Sequence, residues 1–183
     1  QVEAVRDVLK MKGGSHLGSI EGHWKLMAER LHQWSGPRAI LSVEFISFAD
    51  PPQIRTIVDD LSPSDVTVVL GARDLARVLP AQWQTAVRNG RSTADREYLK
   101  GPTARRPTRV KGHFWKRQDI GRIAADWAKV VGRENVTVVT VPPRGTDPGE
   151  LWRRFASAMQ IDVTHLNDKT PSNESLGPTG TEL

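Results

Sequence analysis

The 183-residue chain contains no cysteine, which excludes disulfide bonds, thiolate nucleophiles, iron–sulfur clusters and cysteine-based zinc sites. Its five histidines show neither HExxH nor HxH spacing, so the sequence predicts no metal site. No run of about 18 consecutive apolar residues occurs, which excludes a transmembrane helix. No basic and apolar leader is visible at Gln1. We therefore expect a cytoplasmic protein without a membrane partner.

Three motifs of well-known catalytic sites are also missing. Neither GxGxxG nor GxxxxGKS/T occurs, so no loop of the usual types is present to wrap a pyrophosphate with backbone amides. The absence of GxSxG argues against a Ser-His-Asp hydrolase, which needs a nucleophile elbow. The glycine-rich stretch Gly13 to His16 follows a helix-like pattern rather than a strand, and we interpret it as a linker.

Positive charge is concentrated in one part of the chain. The whole sequence carries a net +5, but Arg88 to Arg122 holds eleven basic and three acidic residues, which leaves the remainder acidic. Such a concentration attracts anionic ligands. We expect residues 88–111 to form a basic loop. This loop is either a surface that binds anionic ligands or a solvated and partly disordered segment.

Predicted strands and helices alternate along residues 1–163, and this order predicts an α/β fold with a parallel sheet and flanking helices. Strands are predicted at 38–42, 66–70 and 135–141. Helices are predicted at 21–34, 51–61, 75–87, 120–131 and 151–159. The predicted helix at 21–34 has an apolar stripe that runs from Trp24 to Trp34, and both rings are expected in the core. Residues 164–183 are polar and rich in turn formers.

Residues just beyond the predicted strands are the first candidates for a site, because ligands bind at the carboxyl ends of an open parallel sheet. These segments are Ser42 to Glu44, Gly71 to Asp74 and Pro142 to Gly145. Arg73 and Glu44 would then follow neighbouring strands and form a pair able to bind an anion and move a proton. In the alternative interpretation, Asp74 caps the next helix and Arg73 pairs with Glu44 for structural reasons only.

Six segments carry a more specific signal. They are AILSVEFIS (39–47), VVLGARDLARVLPAQWQTAVRNG (68–90), FWKRQD (114–119), NVTVVTVPPRG (135–145), LWRRFASAMQID (151–162) and SNESLG (172–177). Together they resemble the sulfotransferase-like proteins of actinomycetes, in the order of that family and over nearly the whole chain. The resemblance implies a P-loop NTPase-like α/β domain. Such a domain uses 3′-phosphoadenosine 5′-phosphosulfate (PAPS) to sulfate a hydroxyl or amine of a small-molecule or glycan acceptor.

The resemblance also implies the cofactor-binding residues. Arg73 matches the strand-end arginine that reads the 3′-phosphate of PAPS, a group for which a planar guanidinium offers paired donors. The family pattern has a serine eight residues later, where this chain has Ala81. Part of the phosphate site is therefore expected at Gln82, at Gln84 or in the loop 172–177, where Ser175 lies. The resemblance also implies that the basic loop 88–111 lies over the cleft as a lid that binds the acceptor. Ser42 is expected to orient the cofactor.

Glu44 matches the position where glycan sulfotransferases place a glutamate base. Sulfuryl transfer is an in-line displacement, so the acceptor hydroxyl must lose its proton while cations hold the sulfuryl oxygens. The family's first strand, its PKxGTT-like loop and the helix that follows are not in this sequence. We therefore expect the first β-loop-α unit to be missing from the fold and the chain alone to have little transferase activity.

Two other classes of function stay open. One is a non-catalytic module that binds nucleotides or polyanions and has lost the chemistry. The other is a nucleic-acid binder that uses the basic stretch. This second class is disfavoured because only three aromatic residues lie in the stretch and no known module pattern fits.

Overall fold

The computed structural model describes residues 1–11, 19–88, 90, 109–143 and 145–162, the side chains of 109–113 excepted. The helices are α1 (Val2–Val8), α2 (His23–His32), α3 (Pro51–Asp60), α4 (Leu75–Arg88), α5 (Arg109–Gln118), α6 (Ile120–Val131) and α7 (Glu150–Ala158). Two short 3-10 helices cover Glu44–Phe48 and Arg133–Asn135, and the strands are β1 (Val68–Ala72) and β2 (Val136–Thr140). None of the helices described is long and apolar enough to cross a membrane.

The two strands form a small parallel sheet flanked by helices, which confirms the α/β prediction at this level. The chain divides into two compact units. The helical unit comprises Gln1–Val68 and Asp119–Thr137, and the sheet unit comprises Val69–Gln118 and Val138–Leu183. The larger part of each strand belongs to the sheet unit.

The helical unit is built around α1 and α3. Helix α1 packs against α2, α3 and the first 3-10 helix, and α3 packs against α6. Val5, Ile54 and Ile57 are fully buried. Trp24 is also buried, and two carboxylates hold it: its backbone N–H donates to Asp7 Oδ2 at 2.9 Å and its indole N–H to Asp60 Oδ2 at 2.7 Å. Trp24 thus anchors α2 by both packing and hydrogen bonds.

Helix α3 begins where local sequence signals place it. The Asp50 carboxylate accepts a hydrogen bond from the Gln53 backbone N–H at 2.9 Å, and the Gln53 side chain accepts one from the Asp50 N–H at 3.0 Å. This reciprocal pair is a capping box, and Pro51 occupies the first turn, where its missing N–H costs nothing. Helix α6 likewise begins after Asp119, which caps it, and ends at Gly132 with a positive φ of 88°.

The prediction of a strand at 38–42 is wrong, because the structure has no strand in this segment and pairs it with no strand among the described residues. Its hydrogen-bonding groups are bonded instead by the Gln1 side chain, which donates to Ile40 O at 3.3 Å and accepts from Ser42 N–H at 3.1 Å. Ile40 is 53% exposed rather than part of a core. Trp34 was also expected in the core, but α2 ends at His32 and Trp34 is 59% exposed.

The sheet unit differs in detail from its prediction. Strand β1 begins and ends two residues later than predicted, and β2 is shorter by one residue at each end. Val139 of β2 is buried, whereas Val138 is 43% exposed. The basic loop was predicted to extend to residue 111, whereas α5 already begins at Arg109.

Several predicted segments lie outside the described residues. They are the linker Gly13 to His16, most of the basic loop (91–108), Ser175 and the polar segment 164–183.

Candidate functional site

The carboxyl ends of β1 and β2 lie side by side in the sheet unit. The backbone N–H of Val141, the residue after β2, donates to the carbonyl of Ala72, the last residue of β1, at 2.8 Å. Arg73 therefore leaves β1 next to the point where Pro142 leaves β2. This is the edge at which parallel sheets bind ligands.

Asp74 caps the helix that follows β1. Its Oδ1 accepts a hydrogen bond from the Arg77 backbone N–H at 3.0 Å, and its Oδ2 forms an ion pair with Arg77 Nε at 2.7 Å. The alternative prediction that Asp74 is a helix cap is thus confirmed. A carboxylate already fills the first turn of α4, so this helix N-terminus is not open to an anionic ligand.

Arg77 joins the segments that follow the two strands. While its Nε bonds Asp74, its Nη1 donates to the carbonyl of Pro142 at 3.1 Å. The Arg77 side chain is only 27% exposed, and Pro142 is buried. One guanidinium therefore bridges the end of β1 and the end of β2.

A second arginine bonds the end of β2 from α7. Arg154 Nη1 donates to the backbone carbonyl of Thr140 at 3.1 Å and to its hydroxyl at 3.0 Å. Its Nε bonds Glu150 at 2.8 Å. The hydrogen bond from Arg154 lowers the pKa of Glu150, and a hydrogen bond from Arg153 at 3.0 Å lowers it further. Arg154, whose charge is balanced by Glu150, thus connects α7 to β2 by hydrogen bonds.

The charge of Arg153 is balanced by carboxylates as well. Arg153 donates to Asp147 and Glu150, and the hydrogen bond to Asp147 is the main reason that the pKa of Arg153 is raised. The same bond holds the pKa of Asp147 below its usual value. These groups keep their charges at neutral pH and cancel one another.

Arg73 is different from the other arginines near this edge. Arg77, Arg153 and Arg154 each have a carboxylate partner. Arg73 is exposed, and within the described part of the sheet unit it makes no ion pair. Among the described residues at the strand ends, Arg73 therefore presents a guanidinium without an ion-pair partner to an approaching anion, at the position the sequence predicted.

Glu44 and Ser42 belong to the helical unit, not the sheet unit. Glu44 is the first residue of a 3-10 helix, and the described residues directly before it, 38–43, form no strand. The prediction that Arg73 and Glu44 follow neighbouring strands is therefore wrong. The Glu44 carboxylate is exposed and has no hydrogen-bond partner among the residues described, while its carbonyl accepts from Ser47 Oγ at 2.7 Å. The exposed Ser42 presents its N–H to Gln1.

Gln84 lies half-buried in the middle of α4. At 1.5 Å per residue it stands about 14 Å along the helix axis from Leu75. Its role as a cofactor ligand stays a prediction. Ser175, the other expected cofactor ligand, is outside the described residues.

Sequence reasoning did not find the roles of Arg77 and Arg154. A partial signal was available, since Asp74–Arg77 and Glu150–Arg154 have the i,i+3 and i,i+4 spacings of helical ion pairs. The hydrogen bonds from Arg77 to the Pro142 carbonyl and from Arg154 to the Thr140 carbonyl left no signal in the sequence. They join residues that are 65 and 14 positions apart.

Comparison of the chain with protein-family profiles, with curated proteins and with solved structures found no match. The link to sulfotransferase-like proteins depends on the six segments quoted from the sequence.

Proposed function

We propose that the sheet unit binds an adenine nucleotide with a 3′-phosphate, namely PAPS and its desulfated product PAP, and that Arg73 contacts this phosphate. The observation that carries the proposal is the exposed Arg73 guanidinium, which lacks a described ion-pair partner, at the carboxyl end of a parallel strand pair. The resemblance of 68–90 to the corresponding family segment supports the same position.

The chemistry of Arg73 suits a phosphate monoester. A guanidinium stays charged at every physiological pH and offers two parallel N–H donors to two phosphate oxygens. Its neighbours are anchored, because Ala72 is bonded to Val141 and Asp74 is bonded to Arg77. A charge on fixed backbone loses less conformational freedom on binding than a charge on a loose loop.

The wider proposal is a sulfotransferase-like domain of the P-loop type that transfers the sulfuryl group of PAPS to a hydroxyl or amine of a small molecule or glycan. The acceptor oxygen or nitrogen forms the new bond to sulfur as the bond from sulfur to the phosphate oxygen breaks. The acceptor proton passes to a base, a role that stays a prediction from the resemblance for Glu44 of the helical unit. The printed sequence holds no PKxGTT-like loop, so nucleotide binding is the activity proposed for this chain by itself.

The test is calorimetric titration of the full 183-residue chain with PAP. Arg73→Ala removes a charged hydrogen-bond donor, a loss of about 1.5 to 3 kcal/mol, and should weaken PAP binding about 10-fold to 150-fold. Arg55→Ala, which removes an exposed arginine from α3, is the matched control and should leave the affinity unchanged. Glu44→Gln should also bind PAP normally, because a base for the acceptor does not hold the nucleotide. An unchanged dissociation constant for Arg73→Ala would remove this residue from the site.

The alternative function, a polyanion-binding module, is favoured by one observation, the net +8 carried by Arg88 to Arg122. A sulfated polysaccharide such as heparin serves as the probe. Polyanion binding through six or more contacts falls about 10³-fold to 10⁵-fold between 50 and 200 mM salt. Binding of PAP through one guanidinium should change far less. Tight heparin binding that is insensitive to Arg73→Ala, with no PAP binding, would favour the alternative.

A further inference from the structure

We propose that Arg77 is a positioning residue that fixes the backbone from which Arg73 projects, without itself binding the nucleotide. This inference rests on the proposed nucleotide site. It concerns what holds the site in shape, which neither the sequence motif nor the resemblance addresses.

The backbone of Arg73 is held on both sides. On one side, the Ala72 carbonyl accepts the Val141 N–H at 2.8 Å. On the other side, Asp74 is bonded twice by Arg77, through the backbone N–H at 3.0 Å and through Nε at 2.7 Å. The direction in which Arg73 leaves the strand therefore depends on these two anchors.

Arg77 also connects the two anchors to each other. Its Nη1 donates to the carbonyl of Pro142, the residue that follows Val141, at 3.1 Å. Pro142 is buried, so a lost hydrogen bond there is poorly replaced by solvent. We call the hydrogen-bonded group of Asp74, Arg77 and Pro142 the clasp. It joins the segments that follow β1 and β2, next to Arg73 in the chain.

The charge and geometry of Arg77 favour a positioning role over direct phosphate binding. Its charge is already balanced by Asp74, and two of its guanidinium nitrogens are engaged. A lysine could not make both bonds in this geometry, since its single ammonium lacks the planar fork. The clasp thus needs arginine for its shape rather than for its charge.

A double-mutant cycle tests whether Arg77 acts through Arg73. Arg77→Gln should weaken PAP binding about 3-fold to 10-fold in the wild-type background and have no effect in the Arg73→Ala background, because the group that it positions is gone. Arg77→Lys should lose as much affinity as Arg77→Gln. Equal weakening in both backgrounds, as expected for a direct ligand or for general loosening of the fold, would overturn the proposal, and so would full rescue by lysine.

A second measurement tests the clasp without nucleotide. Amide hydrogen exchange of the full chain, followed by NMR, should show the Val141 N–H exchanging at least about 10-fold faster in Arg77→Gln, because local opening becomes cheaper. The matched control Arg55→Gln should leave this amide unchanged. Unaltered Val141 exchange in Arg77→Gln would overturn the clasp even if PAP binds. Faster exchange in a chain that binds no PAP would instead overturn the nucleotide site, and with it the positioning role.

Discussion

At the scale of single residues, a buried carboxylate of the helical unit is kept charged by neighbouring cations. Asp126 of α6 is buried in the helical unit. Arg122 Nη1 lies 3.0 Å from its Oδ2, and Lys129 Nζ lies 3.0 Å from its Oδ1. The hydrogen bond from Lys129 is the largest cause of a lowered pKa for Asp126, and Arg122 adds to it, while burial opposes both. The carboxylate is thus kept charged by partners on its own helix.

Asp126 should therefore stabilise the helical unit in a pH-dependent way. Because its folded pKa lies below the unfolded value of 3.8, its contribution is complete above that value and is lost as the pH falls through the folded pKa. Asp126→Asn should lower the free energy of unfolding by about 0.5 to 1 kcal/mol at neutral pH, the worth of two partly exposed helical ion pairs. Urea unfolding followed by tryptophan fluorescence measures this difference.

The difference between wild type and Asp126→Asn should shrink between neutral pH and a pH below the folded pKa of Asp126, because the protonated carboxyl no longer forms the ion pairs that the asparagine amide also lacks. Asp59→Asn, an exposed carboxylate of α3, is the control and should change stability little at either pH. An Asp126→Asn deficit of the same size at both pH values would show that its ion pairs do not carry the effect.

At the scale of elements, helices were predictable because their signals are local. The predicted bounds of α6 match the structure at both ends, since Asp119 caps the helix and Gly132 ends it. Those of α3 differ by one residue, because the capping box and Pro63 sit within a few positions of its ends. Pro80 was expected to interrupt a helix, yet α4 runs through it.

Strands were less predictable because a strand exists only with a neighbour. The segment 38–42 has an apolar pattern, but the Gln1 side chain takes the place of a partner strand. In β1 the apolar run begins at Val66, whereas pairing with β2 begins two residues later. Apolar composition therefore marks a segment that can pair, and tertiary structure decides whether it does.

The capping box should account for a measurable share of the stability of α3. Asp50→Ala removes the acceptor for the Gln53 N–H and should lower the free energy of unfolding by about 1 kcal/mol. Thermal unfolding followed by circular dichroism gives the change. Asp59→Ala, at the other end of the same helix, should cost less, because a carboxylate near a helix C-terminus opposes the helix dipole. Equal losses for the two variants would contradict a specific role for the cap.

At the scale of the whole molecule, part of the candidate site followed from the sequence and part did not. Arg73 and Asp74 were found because they follow a β-branched run, and strand ends are where parallel sheets bind ligands. That Arg73 lacks an ion pair in the described sheet unit could not be foreseen. The described carboxylates of the segments after the two strands are paired with other arginines, Asp74 with Arg77 and Glu150 with Arg153 and Arg154.

The division of the chain also limits what the sequence could predict. Glu44 and Arg73 were expected on adjacent strand ends, but they fall in different units. The nucleotide site is therefore argued from the sheet unit alone, in which Arg73 is positioned by Ala72, Asp74 and Arg77. Glu44 stays a prediction from the resemblance.

The central claim is that a phosphorylated nucleotide binds at the carboxyl ends of β1 and β2 through Arg73, and NMR titration of the isotope-labelled chain with PAP tests it most directly. The account predicts that the Arg73 Nε–H signal and the backbone amides of Asp74 and Val141 shift in a saturable way with one dissociation constant. Amides of the helical unit core, such as that of Ile57, should not move. Saturable shifts confined to residues other than these strand ends, or no shifts at millimolar PAP, would contradict the claim.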